Sequence, residues 1–301
     1  HSVSFAHLVY CSAWLKLHYP AAFLASLLNA QPLGFWSPQS LVADAQRHGV
    51  TVERVCVNRS DVDARLERSP EGELRVRLGL SHVRGVGRAS AQRIVAGAPW
   101  RTLTDLVRDA DLRESETEAL ATAGAFDVLS ASRRGALWQA GAVARARGGL
   151  PGLETGTQAP RLNEATPLEQ IADDTWATGI TLEGSIMELL RPVLDARGVT
   201  RSDALAGAET YRVSVAGVVT HRQHPETARG AVFINLEDEA GHVNVIFSKG
   251  AWLRFAGVAA HAPVLLVRGT LQRGQGSVAI SAEYVEALEV GVPTTPSRDF
   301  R

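Results

Sequence analysis

The chain has 301 residues, 45% of them apolar, which excludes general disorder and leaves room for two or three domains. Its 31 basic and 32 acidic residues give a formal charge of -1, so a uniformly basic nucleic-acid clamp is excluded while a local one is not. Charge is uneven: residues 1–145 hold 17 Lys+Arg against 14 Asp+Glu, or +3, and residues 146–301 hold 14 against 18, or -4. Cys11 and Cys56 make no disulfide framework, so a reducing, cytoplasmic setting is expected. No apolar run approaches the ~18 residues of a membrane span. The start at His1 shows neither an initiator Met nor a signal pattern, and the chain is read as a piece of a longer protein.

Residues 3–31 carry apolar side chains at helical spacing through Phe5, Leu8, Trp14, Leu15, Phe23, Leu24 and Leu28, and the break at Tyr19-Pro20 predicts two packed helices. Ser37-Pro38 supplies a cap and a first-turn proline for a helix over 39–48. Gly49 ends it, and Val50, Val52 and Val55 alternate as a short strand, with another over 74–80 after the turn at 69–72. From residue 79 the pattern changes to a glycine-punctuated hairpin at 81–87, a helix over 89–95, a turn containing Trp100, and helices near 102–109, 113–122 and 130–145. Residues 148–167, rich in Gly, Pro, Thr and Ala, suit an exposed connector. Two or three short helices over 168–206 follow. Strands are then predicted at 211–220, 231–237, 242–247, 263–272 and 277–285, with a helix at 249–257 between the third and fourth, which is the order of an OB-fold. The expected architecture is multidomain: a mixed, mostly helical region over 1–78, a tandem helix-hairpin-helix domain over 79–147, a linker and connector helices over 148–207, a β-barrel OB-fold over 208–290 and an extended or disordered tail over 291–301.

Val83-Arg84-Gly85-Val86-Gly87, followed by Arg88 to Ile94, is the most specific short motif. Two glycines one residue apart let the backbone turn tightly and bring N–H groups up to a phosphate, and the next helix offers its positive N-terminus. This predicts a phosphate clamp in which Arg84, Gly85, Val86, Gly87, Arg88 and Arg93 meet DNA without reading bases, with His82 on the same edge. The alternative is a glycine turn packed between helices with solvent-facing arginines. A weaker copy runs through Thr122-Ala123-Gly124-Ala125-Phe126, with Arg133 and Arg134 nearby. There Phe126 stands where a second glycine would, so this copy is expected to pack more than it clamps, with Gly124, Arg133 and Arg134 as its candidate contacts.

In the OB-fold, His221, Arg222, His224 and Arg229 fall in the first loop, and Asn244, Arg268 and Arg273 fall on strands or their ends, a set suited to single-stranded nucleic acid. Phe233 and Phe247 are expected in the barrel core rather than as base platforms, and the Glu237-Asp238-Glu239 run opposes a strongly positive funnel. OB-folds also serve as protein-binding modules. Asp61 and Asp63 form a DxD pair that an Mg2+ site can use, but two-metal chemistry needs further convergent carboxylates, and a solvated turn is expected instead. The histidines are scattered, and neither a Walker A sequence nor a GxSxG is present, so no catalytic residue, metal or cofactor is assigned to this chain.

The stretch His1-Ser2-Val3-Ser4-Phe5-Ala6-His7-Leu8-Val9-Tyr10, with Ala13-Trp14-Leu15-Lys16 and His18-Tyr19-Pro20-Ala21-Ala22-Phe23, resembles the back of the fingers region in bacterial C-family DNA polymerase III alpha-like subunits. Gln31 to Pro38 and Val57-Asn58-Arg59-Ser60 resemble its error-prone, ImuC-type branch. Leu80 to Gly87 and Ala123 to Asp127 are similar to the family's tandem helix-hairpin-helix region. Gly217 to Thr220, Leu236 to Glu239 and Val243 to Ile246 are similar to its OB domain, and Ser297 to Phe300 to the close of the branch.

The resemblance covers essentially the whole chain. It implies the C-terminal DNA-binding and assembly part of a translesion DNA-directed DNA polymerase, in which 1–78 support the fingers, the hairpins hold primed duplex and the OB-fold meets template or a partner. It further implies a palm upstream that binds Mg2+, so that this chain alone is inactive, and it gives Asp61 and Asp63 no catalytic role. The implied partners are an inactive Y-family-like polymerase subunit and a RecA-like accessory protein, with the sliding clamp reached only indirectly and no membrane. Leu182 to Met187 departs from the Gly/His-Pro element of many relatives. A protein-interaction module docking such partners without touching DNA is the second reading.

Overall fold

The computed structural model describes residues 2–130, 132–145, 159–160, 162–274, 277–292, 294 and 296–300. The chain divides into one unit of residues 1–32 and 41–182 and a second of residues 33–40 and 183–301.

In the first unit, α1 (Ser2–His18) buries none of its residues, and α2 (Pro20–Asn29) begins at the expected proline and buries Ala21, Leu24, Ala25 and Leu28. After α3 (Pro38–Arg47) comes a three-stranded sheet in which β1 (Val52–Glu53) runs parallel to β3 (Leu74–Arg77) and β2 (Arg65–Arg68) antiparallel to it. The strand β2 was not predicted. Its Glu67 receives the Nε and Nη2 hydrogens of the buried Arg77, and these bonds hold its carboxyl below the usual carboxylate range against the opposing effect of burial. A single 3-10 turn, Leu80–His82, leads into α4 (Arg88–Gly97), α5 (Leu103–Asp109), α6 (Glu114–Thr122), α7 (Arg133–Arg145) and α8 (Pro167–Ala177). One continuous apolar cluster runs from Ala21 through Leu80, Ile94, Leu120 and Phe126 to Ile180. The connector expected over 148–167 lies largely outside the described residues, whereas α8 packs into this first unit.

In the second unit, α9 (Ile186–Ala196) packs Ile186, Met187 and Leu194 with Ala216, Val264 and Leu266. The strands β4 (Arg212–Gln223), β5 (Val232–Glu237), β6 (His242–Phe247), β7 (Val264–Gly274) and β8 (Ser277–Ala287) run in the order β5-β6-β8-β7-β4, and a further β5–β4 pairing closes the barrel. The parallel β6–β8 pair and α10 (Lys249–Ala259) between β6 and β7 complete the OB-fold topology. Alternation drives the packing, because Val232, Ile234 and Leu236 of β5 and Val243, Val245 and Phe247 of β6 all turn inward. Within the tail, Arg298–Phe300 forms β9, which pairs parallel to His221–Gln223 of β4.

Candidate nucleic-acid interface

The first hairpin stands on a buried base. Leu80, Val83 and Val86 are buried, and the Val86 amide donates to Val83 O at 3.1 Å, drawing the turn tight. Gly85 sits at φ +74°, a left-handed conformation that favours glycine, and Gly87 caps α4 in extended geometry without a side-chain cap. A Cβ built on either glycine meets nothing within 4 Å. The turn is therefore open on the side where a phosphate would meet the uncapped amides of the α4 N-terminus.

Arg84 and Arg88 flank that opening. The Arg84 guanidinium lies 5.4 Å from the centre of the Trp176 ring, and its backbone N–H donates to Ala177 O at 2.7 Å, so α8 braces the hairpin. Arg88, whose side chain is 65% exposed, donates through Nη1 and Nη2 to the two carboxylate oxygens of Asp63 at 2.7 and 2.8 Å. Those hydrogen bonds hold the Asp63 carboxyl below the usual range. The DxD pair does not fit a metal, because Asp63 is engaged by a cation and Asp61 Oδ1 accepts the Val62 amide at 2.7 Å. Among the described residues no group of three His, Cys, Asp or Glu side chains can hold a metal ion. His82 adds no charge at neutral pH, since burial pushes its imidazole below the ordinary value.

Asp63 thus competes with any phosphate for Arg88. Asp63→Asn is expected to tighten duplex binding about two- to fivefold at low salt, the range set by an exposed ion pair, with little change in melting temperature. Anisotropy titration of the variant beside the unaltered protein measures it, and unchanged affinity refutes the competition.

Arg93 is placed differently from expectation: Nε donates to Ala110 O at 2.7 Å and Nη2 to Asp111 O and Ser90 Oγ, so it ties α4 to the end of α5. The second hairpin is closed. Phe126 is fully buried, and although Gly124 has φ +73°, a Cβ there would meet the Arg133 guanidinium at 3.2 Å and Asp127 Oδ2 at 3.3 Å. Arg133 in turn donates to the buried Asp174 at 2.9 Å, an acceptor it shares with Arg54 at 2.7 Å. Arg134 reaches Glu169 at 2.7 Å and Asn163 O at 3.3 Å. The structure thus makes Arg133 a partly covered strut on a buried carboxylate rather than a free candidate contact.

The OB-fold candidates do not form one surface. Arg222 is buried, with Nε and Nη2 on Ala259 O and Ala262 O at 2.8 and 2.6 Å and Nη1 on Ser297 Oγ, correcting its expected place in an exposed loop. Arg273 donates to Leu205 O and Ala208 O, and Arg268 lies over Tyr284 at 5.4 Å, both on β7. His224, Arg229 and Asn244 remain exposed at the β4–β5 loop and on β6. The acidic run is spent internally: Glu237 accepts from Ser40, Asp238 accepts the Ser202, Ala240 and Gly241 amides, and Glu239 pairs with Arg191.

A family model described as a helix-hairpin-helix motif matches residues 49–136, and one described as an OB-fold nucleic acid binding domain matches residues 213–288. The error-prone DNA polymerase of Corynebacterium efficiens is 49% identical over 305 residues, covering 100% of this chain and 28% of that protein. The error-prone DNA polymerase of Nocardia farcinica is 49% identical over 315 residues, covering 100% and 27%. That of Mycobacterium tuberculosis is 47% identical over 307 residues, covering 100% and 28%. Over its whole length the chain is similar to error-prone DNA polymerases. It spans a little over a quarter of the length of these relatives.

Both hairpins fall inside one motif match, which starts at 49 and takes in the three-stranded sheet. Sequence reasoning missed three parts of the surface: Trp176 beneath Arg84, the outward Phe233, and Phe35-Trp36 of the second unit. Phe233 had a signal, because Val232, Ile234 and Leu236 claim the inward parity of β5 and leave 233 outside.

Proposed function

We propose that this chain is the C-terminal DNA-handling portion of a translesion DNA polymerase, holding duplex through the Gly85–Gly87 hairpin while the barrel meets single-stranded template. The observation that carries this is the unobstructed turn at Gly85 and Gly87 beside the exposed Arg84 and Arg88, in contrast to the filled turn at Gly124. Backbone amides and arginines at a turn bind phosphate without base preference. On this reading residues 1–78 support the fingers, 79–147 form the hairpin domain, 148–207 connect, 208–290 form the barrel and 291–301 the tail. Polymerisation and its Mg2+ belong to carboxylates elsewhere in the enzyme. The setting is the cytoplasm; no described helix is long and apolar enough to cross a membrane.

Anisotropy titration with primed duplex, blunt duplex and single strand at two salt concentrations tests it. Arg84→Ala with Arg88→Ala is expected to weaken duplex binding about 10-fold and to flatten the log-log salt slope by about 2. Duplex binding unchanged by the pair refutes the clamp. Exposed Leu189 and Val193 on α9 favour a second role in docking protein, the inactive Y-family-like subunit and the RecA-like accessory protein being the proposed partners, with sliding-clamp contact indirect. That role predicts partner capture that survives the arginine changes.

A further inference from the structure

On the outer face of the barrel, β4, β5 and β6 align two cross-strand rows, His221, Asn235 and Asn244 in one and Gln223, Phe233 and Ile246 in the other. Paired residues of antiparallel strands share a face, so these side chains stand together. Residues 33–40 of the same unit lie against them. His221 Nε2 donates to Phe35 O, Arg298 Nη1 donates to Leu33 O at 2.5 Å and Gly34 O at 2.6 Å, and Ser40 Oγ donates to Glu237 Oε2 at 2.8 Å. The Trp36 ring stands edge-on to His221 at 4.9 Å and lies 5.0 Å from His242, while Phe35 packs 4.4 Å from Phe300.

The anchored segment and the strand rows line a cleft of about 280 Å3, with the rings of Phe35, Trp36 and Phe233 and the amides of Gln223, Asn235 and Asn244 among its walls. That volume is near the lower end of small-ligand sites. Its rings are only half covered, at 49, 42 and 36% exposure, although each packs or borders on ordered neighbours. Asn235 Nδ2 donates to Asn244 Oδ1 at 3.1 Å, which leaves the Asn244 Nδ2 and the Gln223 amide without a partner among the described residues. Side-chain amides carry donor and acceptor together, the complement of a base edge, and aromatic rings at the water boundary offer stacking faces.

The lining carries no formal charge, for burial, reinforced by the nearby Arg298, pushes the His221 imidazole below its ordinary value. A neutral planar ligand suits it better than an anion. Cations stand at the loop that leads into β5: Arg229 and Lys249 make no ion pair among the described residues, and a Cβ on Gly230 would lie 3.3 Å from the Lys249 stem. A neutral cleft with amide edges and aromatic walls, with cations at the loop into β5, matches a base that carries its own phosphates.

We propose that this cleft takes one unstacked base of single-stranded DNA, stacked on Trp36 and Phe233 with its edge on the amides of Gln223 and Asn244. The proposal rests on the reading that the barrel handles nucleic acid, and adds that the 33–40 segment builds part of the site. The probe is a short oligodeoxythymidine titrated onto the 301-residue chain by anisotropy, with a 5-iodouracil-substituted strand photocrosslinked and the adducts mapped by mass spectrometry. Phe233→Ala is expected to weaken strand binding about 10-fold and Asn244→Ala about threefold, while Arg84→Ala with Arg88→Ala leaves strand affinity within twofold. Adducts are expected on Phe35, Trp36 or Phe233. Both single variants alter exposed side chains, and an unchanged melting temperature certifies their fold. Strand binding that ignores both variants, with adducts elsewhere, overturns the cleft while leaving the barrel as a nucleic-acid surface. A chain that binds duplex but no strand overturns the barrel reading together with the cleft.

Discussion

Glu116→Gln is expected to lower the stability of the first unit on the order of 3 kcal/mol at neutral pH and to reduce its acid sensitivity between about pH 5 and pH 2. Glu116 is the third residue of α6 and is 1% exposed, which costs a carboxylate dearly unless every lone pair is used. Here they are: Oε1 accepts from Ser90 Oγ at 2.6 Å and Arg113 Nη2 at 3.2 Å, and Oε2 from the Arg113 amide at 2.9 Å and its Nε at 3.2 Å. Burial works to raise the carboxyl, and the combined hydrogen bonds overcome it and hold it down at about 2, against an ordinary 4.5. Because the folded value is depressed, the stabilisation is present above about pH 4.5 and is lost as pH falls toward 2, where folded and unfolded chains are both protonated. The Ser90 bond reaches from α4 to α6, so the same carboxylate couples the open hairpin to the closed one. Urea unfolding at a series of pH values measures the effect. A variant that keeps the acid slope of the unaltered protein assigns that slope to other carboxylates.

How far the chain could be read from its letters depends on the range of the interaction. Helix starts at Pro20 and Pro38 and the barrel order β4 to β8 follow from caps, prolines and alternation, all local signals, and the structure has them close to the expected places. The opening at Gly85 was equally legible, since a left-handed turn next to a helix start is written in adjacent residues. The fate of the arginines was not. Arg133 finds Asp174 41 residues away, and Arg93 finds carbonyls 17 and 18 residues away, partners that no spacing rule names. Arg222 was misplaced for a different reason: the β4 register shifts between Val219 and His221, and that bulge pairs Arg222 with the inward Ile234 where strict alternation from Val219 would expose it. The 33–40 segment reads as a loop between helices, and its role as a wall of the barrel cleft emerges only from tertiary placement.

Gly269→Ala is expected to cost the second unit about 3 kcal/mol, seen as a fall of roughly 10 °C in its melting temperature. Gly269 is buried in β7, between Val213 of β4 and Ala282 of β8, at the point where the β7–β8 register shifts after Arg268. A Cβ built there would lie 2.0 Å from Ser281 O and 3.0 Å from Ile280 Cγ2. The first is a backbone atom of a paired strand, so no side-chain rotation relieves the clash, and β8 must move away from β7 or lose ladder bonds. Either response loosens the β6–β8 seam of the barrel, because β8 also pairs with β6 through Asn244↔Ala279. Single-strand binding is then expected to weaken along with stability, since Asn244 sits at that seam. Gly250→Ala is the control: it lies in the first turn of α10 with nothing within 4 Å of its Cβ, and is expected to change stability by less than about 0.5 kcal/mol. Calorimetry of both variants separates the effects. Equal melting temperatures for the two would show that the seam yields to a methyl group, and that the glycine is there for some reason other than close strand approach.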